Sequence, residues 1–213
     1  MQGPRIGCLG GTFDPVHDGH LTIAEFARSF LCLDEMRLIP VAVPVHRNAP
    51  FASIDDRLTM LRLALHDHPG LCVDEREIRS SSPNYTLHTL QSLKSEMPQA
   101  SLFWVVGEDA FALLPIWHRW QELFDYAHFV VATRLSENII LPDFAVDREA
   151  PDHHTSYEQT AGLVFRLPFS PHPASSSAIR AAIADHHAER IQNLLPEPVL
   201  SYIAQKNLYL NLS

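Results

Sequence analysis

Short, almost continuously apolar runs recur along this chain, separated by longer stretches in which apolar residues return every three or four positions. The runs lie at Arg5 to Gly11, Met36 to Pro40, Leu71 to Asp74, Leu102 to Val106, His128 to Thr133 and Leu163 to Leu167. Between and after them, His20 to Leu31, Asp55 to His66, Tyr85 to Glu96, Ser176 to Ala184 and Pro198 to Lys206 carry helical spacing. Ser53 and Asp56 stand like a capping box before the second of these helices. A strand that is wet on one face alternates polar and apolar residues, whereas one covered on both faces reads as an unbroken Val, Ile and Leu run. The pattern therefore predicts an α/β fold, doubly wound, with a mostly parallel sheet and helices on both faces.

In such sheets ligands collect beyond the carboxyl ends of the strands, and the loops after Leu9, Ile39, Val106 and Val131 open there. At 213 residues the chain is expected to form one domain, residues 1–213, whose C-terminal part, 174–213, ends in helices. A net charge of −9 argues against a nucleic-acid-binding surface, which needs clustered Lys and Arg, so donors for an anionic substrate must be arranged locally. There is no secretory-type N-terminus and no long apolar run, so a cytoplasmic protein without a membrane partner is expected. Cys8, Cys32 and Cys72 are widely spaced, form no C-x-x-C unit, and are expected to be reduced core residues. From Arg134 to Gly162 the composition turns polar, which predicts a surface excursion; His153-His154 within it and His186-His187 further on are expected to be surface pairs.

The stretch most informative about chemistry is Gly10-Gly-Thr-Phe-Asp-Pro-Val-His-Asp-Gly-His20. A glycine pair ends a strand, and His17 and His20 sit one turn apart where a helix starts. Glycines allow close backbone approach, and the free N–H groups of a helix start attract negative charge, so the segment can receive a phosphate. The same two histidines could ligate zinc, but no Cys, third His or carboxylate stands at motif spacing; they could also only cap and pack.

This stretch resembles the G-x-F-x-P-x-H-x-G-H signature of a nucleotidyltransferase superfamily, with Gly11, Phe13, Pro15, His17, Gly19 and His20 at its named positions. Ala174-Ser-Ser-Ser-Ala-Ile-Arg180 is similar to its second signature, I-S-S-T-x-I-R. Further segments resemble bacterial nicotinate-mononucleotide adenylyltransferases along almost the whole chain. They are Val43-Pro-Val-His-Arg47, Asp74-Glu-Arg-Glu77, Asn84-Tyr-Thr86, Gly107-Glu-Asp109, Trp117-His-Arg-Trp120 and Leu195-Pro-Glu-Pro-Val-Leu-Ser-Tyr-Ile203. Val41, Ala42 and Val45 depart from the usual pattern.

The resemblance implies a Rossmann-like fold and an enzyme that transfers the AMP half of ATP to nicotinate mononucleotide, releasing pyrophosphate. By that resemblance Gly11, Thr12, His17, His20, Ser175, Ser176 and Arg180 hold the ATP phosphates, with His17, His20 and Arg180 catalytic and Phe13 among the substrate-binding residues. Gly107 and Asp109 would meet the adenosine ribose, and Thr86 and Trp117 the nicotinate end. Arg47, with His46 and Arg134, would hold the mononucleotide phosphate. Mg²⁺ is implied as a cofactor carried mainly by ATP, with no dedicated protein metal site.

Locally, each position has a plainer reading. Trp117 could be packing, Thr86 an ordinary first-turn residue, Asp109 an N-cap, Arg180 a solvated charge and the serines helix caps. Two other functional readings stay open. One is a relative acting on phosphopantetheine or an alcohol phosphate; the other is a nucleotide-binding module without turnover. The sequence leaves the oligomeric state open, a homo-oligomer included.

Overall fold

The computed structural model describes residues 3–42, 49–80, 83–134, 141–152, 159–170 and 172–210. Its strands are β1 (Arg5–Gly11), β2 (Glu35–Pro40), β3 (Leu71–Val73), β4 (Ser101–Gly107), β5 (His128–Arg134) and β6 (Val164–Phe169), in spatial order β3-β2-β1-β4-β5-β6. Every pairing is parallel, and Leu9 lies between Leu38 on β2 and Val105 on β4. The strand order reverses between β1 and β4, so the switch-point crevice opens beyond Gly11 and Gly107.

The helices are α1 (Asp18–Phe30), α2 (Ile54–Leu65), α3 (Arg76–Arg79), α4 (Thr86–Glu96), α5 (Glu108–Ala112), α6 (Leu123–Tyr126), α7 (Asp143–Val146), α8 (Ser176–Ala184) and α9 (Glu197–Lys206). On one face, α1, α2, α8 and α9 contribute Leu21, Ala24, Leu61, Ile179 and Ile203 to a core with Leu9, Leu38, Phe103 and Val105. On the other, Leu87, Leu90, Phe111 and Phe124 from α4, α5 and α6 pack on Ile6, Ile39, Trp104 and Phe129. Successive residues of β4 thus enter opposite cores, which is why the strand must be apolar throughout. Each fully buried Leu or Phe contributes roughly 1.5–3 kcal/mol relative to exposure.

Ser53 caps α2, its hydroxyl oxygen accepting from Asp56 N–H at 3.1 Å. The Asp56 carboxylate accepts the Ser53 hydroxyl at 2.6 Å and is bonded by the Ser53 backbone as well, so the two residues pair as the expected capping box. One expectation is corrected. Cys32 is exposed, not core. It is the left-handed residue (φ 49°) just past α1, where its N–H meets Ser29 O and the next N–H, of Leu33, meets Arg28 O. That Schellman geometry turns its side chain out to solvent. Cys8 is buried and Cys72 half-buried, both as free thiols.

The expected surface excursion is largely exposed where it is described, and it carries one local anchor. Its described part forms α7, buries Leu141 and Ala145, and places Phe144 against Phe111 (5.4 Å between ring centroids) and Trp120 (5.1 Å). Three apolar residues at helical spacing anchor a stretch whose average composition is polar. His153-His154 lies outside the described residues. His186 is exposed and His187 half-buried, the latter beside Glu189.

His128 at the start of β5 is wholly buried; its ring bonds to Gln159 O at 3.1 Å and accepts from Leu163 N–H at 3.2 Å. Burial lowers its pKa from 6.5 to about 4. The ring is neutral in both states above pH 6.5, and between pH 6.5 and 4 the unfolded chain binds a proton that the folded chain refuses. Stability therefore falls as pH drops through that window, by up to roughly 3 kcal/mol from this group. The variant His128→Phe is expected to be less stable at pH 7, where two hydrogen bonds are lost, but to show a shallower decline from pH 6.5 to 4. Urea denaturation across that range measures both.

Candidate active site

The loop from Thr12 to His17 leaves β1 and enters α1 at the crevice. A Cβ on Gly10 would come within 2.9 Å of the Trp104 ring, and one on Gly11 within 2.9 Å of the Phe13 ring, so both positions require glycine. Phe13 is buried with φ 48°, and its ring meets the edge of His20 at 5.0 Å. This pins the loop under the helix start.

His17 is the N-cap residue of α1, and its ring stacks on that of His20 at 3.7 Å between centroids. The His17 N–H donates to His20 Nδ1 at 3.3 Å, which leaves the proton of a neutral His20 ring on Nε2. Burial, with some contribution from His172, lowers the His17 pKa to about 4. Burial and the neighbouring His17 push His20 well below its usual value. At neutral pH the pair is therefore uncharged: two N–H donors at the positive end of a helix. His17 Nδ1 is buried with no hydrogen-bond partner among the described residues.

From α8, Arg180 Nη1 donates to Asp14 O at 2.6 Å, and the guanidinium lies 4.6 Å from the Phe51 ring centroid. Its Nε is buried without a partner among the described residues. Arg180 is thus a group fixed on the loop between β1 and α1, not a solvated charge. Ser175 caps α8 by accepting from Ala178 N–H at 3.3 Å, and the Ser176 hydroxyl donates to Pro15 O at 3.0 Å. The two signature segments, 160 residues apart in the chain, are bolted together by these bonds.

Beside the loop a cavity of about 540 Å³ follows the ends of β1 and β4, lined by Gly11, Thr12, Gly107, Thr86, Trp117 and His118 among others. Trp117 is half-buried and packs on the second core as well as facing the cavity, so both readings of it hold. Thr86 opens α4. Asp109 is exposed on the first turn of α5, outside the cavity wall, and Gly107, not Asp109, is the N-cap residue. His46 and Arg47 lie outside the described residues. Arg134 ends β5, paired with Phe169 on β6.

Several residues that matter here carry no local signal. Arg57 on α2 is fully buried; its Nη1 donates to Thr12 O at 2.7 Å and Val41 O at 2.9 Å, and its Nη2 to Ala42 O at 3.3 Å. The buried Asp14 carboxylate accepts from Phe51 N–H at 2.7 Å, Ala52 N–H at 3.1 Å and the Tyr209 hydroxyl at 2.8 Å. Glu77 lines the cavity, accepts the Thr89 hydroxyl at 2.6 Å, and has its pKa raised by burial. Tyr85 stacks on His118 at 4.4 Å along the cavity edge. Among the described residues no three His, Cys, Asp or Glu side chains converge to hold a metal ion.

Comparison with known proteins accords with this geometry. A model of the family described as cytidylyltransferase-like matches residues 8–182. A probable nicotinate-nucleotide adenylyltransferase of Aeromonas salmonicida is 42% identical over 208 residues, covering 96% of each chain. That of Laribacter hongkongensis is 42% identical over 210 residues, covering 96% of this chain and 94% of the relative. The fold is similar to that of Plasmodium falciparum nicotinic acid mononucleotide adenylyltransferase complexed with NaAD, with a TM-score of 0.73, 15% identity and 97% of each chain covered. The catalytic-loop geometry, the family model and the near-full-length identity agree, and the chain belongs to the nicotinate-nucleotide adenylyltransferases of the cytidylyltransferase-like family.

Proposed function

We propose that this protein transfers the adenylyl group of ATP to nicotinate mononucleotide, giving nicotinate adenine dinucleotide and pyrophosphate, as a step in NAD biosynthesis. The observation that carries the reading is the convergence of His17, His20 and Arg180 on one glycine-entered loop beside a cavity large enough for a nucleotide. The attacking group is already an anionic phosphate oxygen, so no protein nucleophile is needed. Catalysis rests on in-line positioning and on stabilising charge as pyrophosphate leaves.

In this mechanism His20 Nε2–H and the His17 ring donate to phosphate oxygens, and Arg180 adds a permanent positive charge. An approaching phosphate raises the histidine pKa values, but the stacked pair resists double protonation because like charges 3.7 Å apart repel. Mg²⁺ would come with the nucleotide, since no three His, Cys, Asp or Glu side chains among the described residues converge to hold it. Its role is to neutralise charge on the leaving pyrophosphate. Ser175 and Ser176 extend the donor set at the α8 start, and Gly107 lets the adenosine lie close to the end of β4. Asp109 serves the ribose from the rim. His46, Arg47 and Arg134 serve the mononucleotide phosphate.

For the acceptor, α4 begins at Thr86 on the cavity wall with no side-chain cap on its N-terminus. Its positive end favours a carboxylate over a neutral amide by about 0.3–2 kcal/mol. Glu77 on the same wall accepts the Thr89 hydroxyl, and burial raises its pKa. Trp117 offers a ring face to the pyridine.

Three outcomes test the proposal. Pyrophosphate release from MgATP should be strong with nicotinate mononucleotide, several-fold weaker with nicotinamide mononucleotide and undetectable with phosphopantetheine; release only with the last would overturn it. His20→Ala should fold with an unchanged circular dichroism spectrum and lose about 10²- to 10³-fold in kcat. With ATP carrying a chiral thiophosphate at the α position, the product should be inverted at phosphorus, whereas retention would require a covalent intermediate.

A further inference from the structure

We propose that Tyr209, near the C-terminus, is a positioning residue for the phosphate-binding loop: its hydroxyl, through Asp14, holds the Thr12–His17 loop in register with Arg180. The inference deepens the adenylyl-transfer reading and rests on it.

Tyr209 follows α9, is 6% exposed, and donates to Asp14 Oδ1 at 2.8 Å across 195 residues of sequence. Its backbone lies in the left-handed region (φ 66°), which a bulky side chain adopts only where its surroundings hold it. Asp14 stands three residues before His17, and its backbone carbonyl is the acceptor that fixes Arg180. The other two donors to the Asp14 carboxylate, Phe51 N–H and Ala52 N–H, belong to the start of the segment that leads into α2. One carboxylate therefore joins the catalytic loop, the segment before α2 and the end of the chain. Without the hydroxyl, Asp14 Oδ1 keeps, among the described residues, the 3.1 Å bond from Ala52, and the carboxylate, tied then to residues 51 and 52 alone among them, loses its link to the end of the chain.

A second tyrosine provides the control. Tyr202 on α9 donates to Asp56 Oδ1 at 2.9 Å, tying the C-terminal helix to α2 and not to the loop. A purely structural role would make the two tyrosines equivalent, apart from the size of their effect on thermal stability.

The experiment compares Tyr209→Phe and Tyr202→Phe with the wild type, well below their melting temperatures. It measures kcat and KM with MgATP and nicotinate mononucleotide, and inorganic pyrophosphate binding by calorimetry. Loss of loop positioning should lower kcat by about 10-fold in Tyr209→Phe and weaken pyrophosphate binding similarly, since both use the loop donors. The KM for nicotinate mononucleotide should stay within about two-fold, because the nicotinate contacts are untouched, while that for MgATP rises together with the loss of pyrophosphate affinity. Tyr202→Phe should match the wild type in all of these. Equal kcat and equal pyrophosphate affinity in the two variants overturn the proposal, as does a raised KM at unchanged kcat in Tyr209→Phe. A wild type that releases no pyrophosphate with nicotinate mononucleotide fails the functional reading alone. In that case the pyrophosphate isotherms still decide the role of Tyr209.

Discussion

Two buried charges organise the catalytic end of this molecule. Taking a guanidinium and a carboxylate out of water costs several kcal/mol each unless their hydrogen-bonding capacity is met. Arg57 gives three Nη hydrogen bonds to the backbone carbonyls of Thr12, Val41 and Ala42, with its buried Nε unpartnered among the described residues, and the Asp14 carboxylate collects two backbone N–H groups and a phenol. Neither can let go without stranding a charge, so the loop after β1 and the segments flanking residues 43–48 are held firmly. The stacked histidines and Arg180 inherit that rigidity.

Rigidity matters because the proposed chemistry has no protein nucleophile to compensate for poor geometry. Donors must already stand where negative charge develops, since reorganising them during the reaction would consume the stabilisation they supply. The site accordingly has few freely rotating parts. Phe13 wedges beneath His20, Gly11 leaves room for that wedge, and Ser176 and Arg180 lock α8 to Pro15 and Asp14. The buried, neutral histidines await an anion in an otherwise acidic protein of net charge −9. Selectivity for anionic substrates thus comes from local donors and helix ends, not from the overall field.

Much of this was legible from residue order. Strand runs such as Leu102 to Val106 were recognisable because both faces of a central parallel strand are buried, and α8 ran over the expected Ser176 to Ala184. His17, His20 and the serines stood out because a glycine pair before two histidines one turn apart, and a serine run before a helix, are compact local patterns. Less legible was the stretch after Arg134, where Leu141, Phe144 and Ala145 are diluted by polar neighbours, and Cys32, whose exposure follows from the turn geometry past α1. Asp109 could equally have been a cap; the helix instead starts at Gly107.

By itself the sequence determined the parallel α/β architecture, the glycine-entered loop before α1 and the family, because each depends on spacing within about twenty residues or on direct similarity. Only the tertiary structure decided that Arg57, an ordinary-looking helix charge, is the buried clamp of the loop. It also decided that Asp14 is a junction and that Tyr209 reaches back across the chain to complete it. The physical reason is that burial and long-range hydrogen bonding belong to pairs of distant segments, and nothing in the local pattern around any one of these residues encodes its partner.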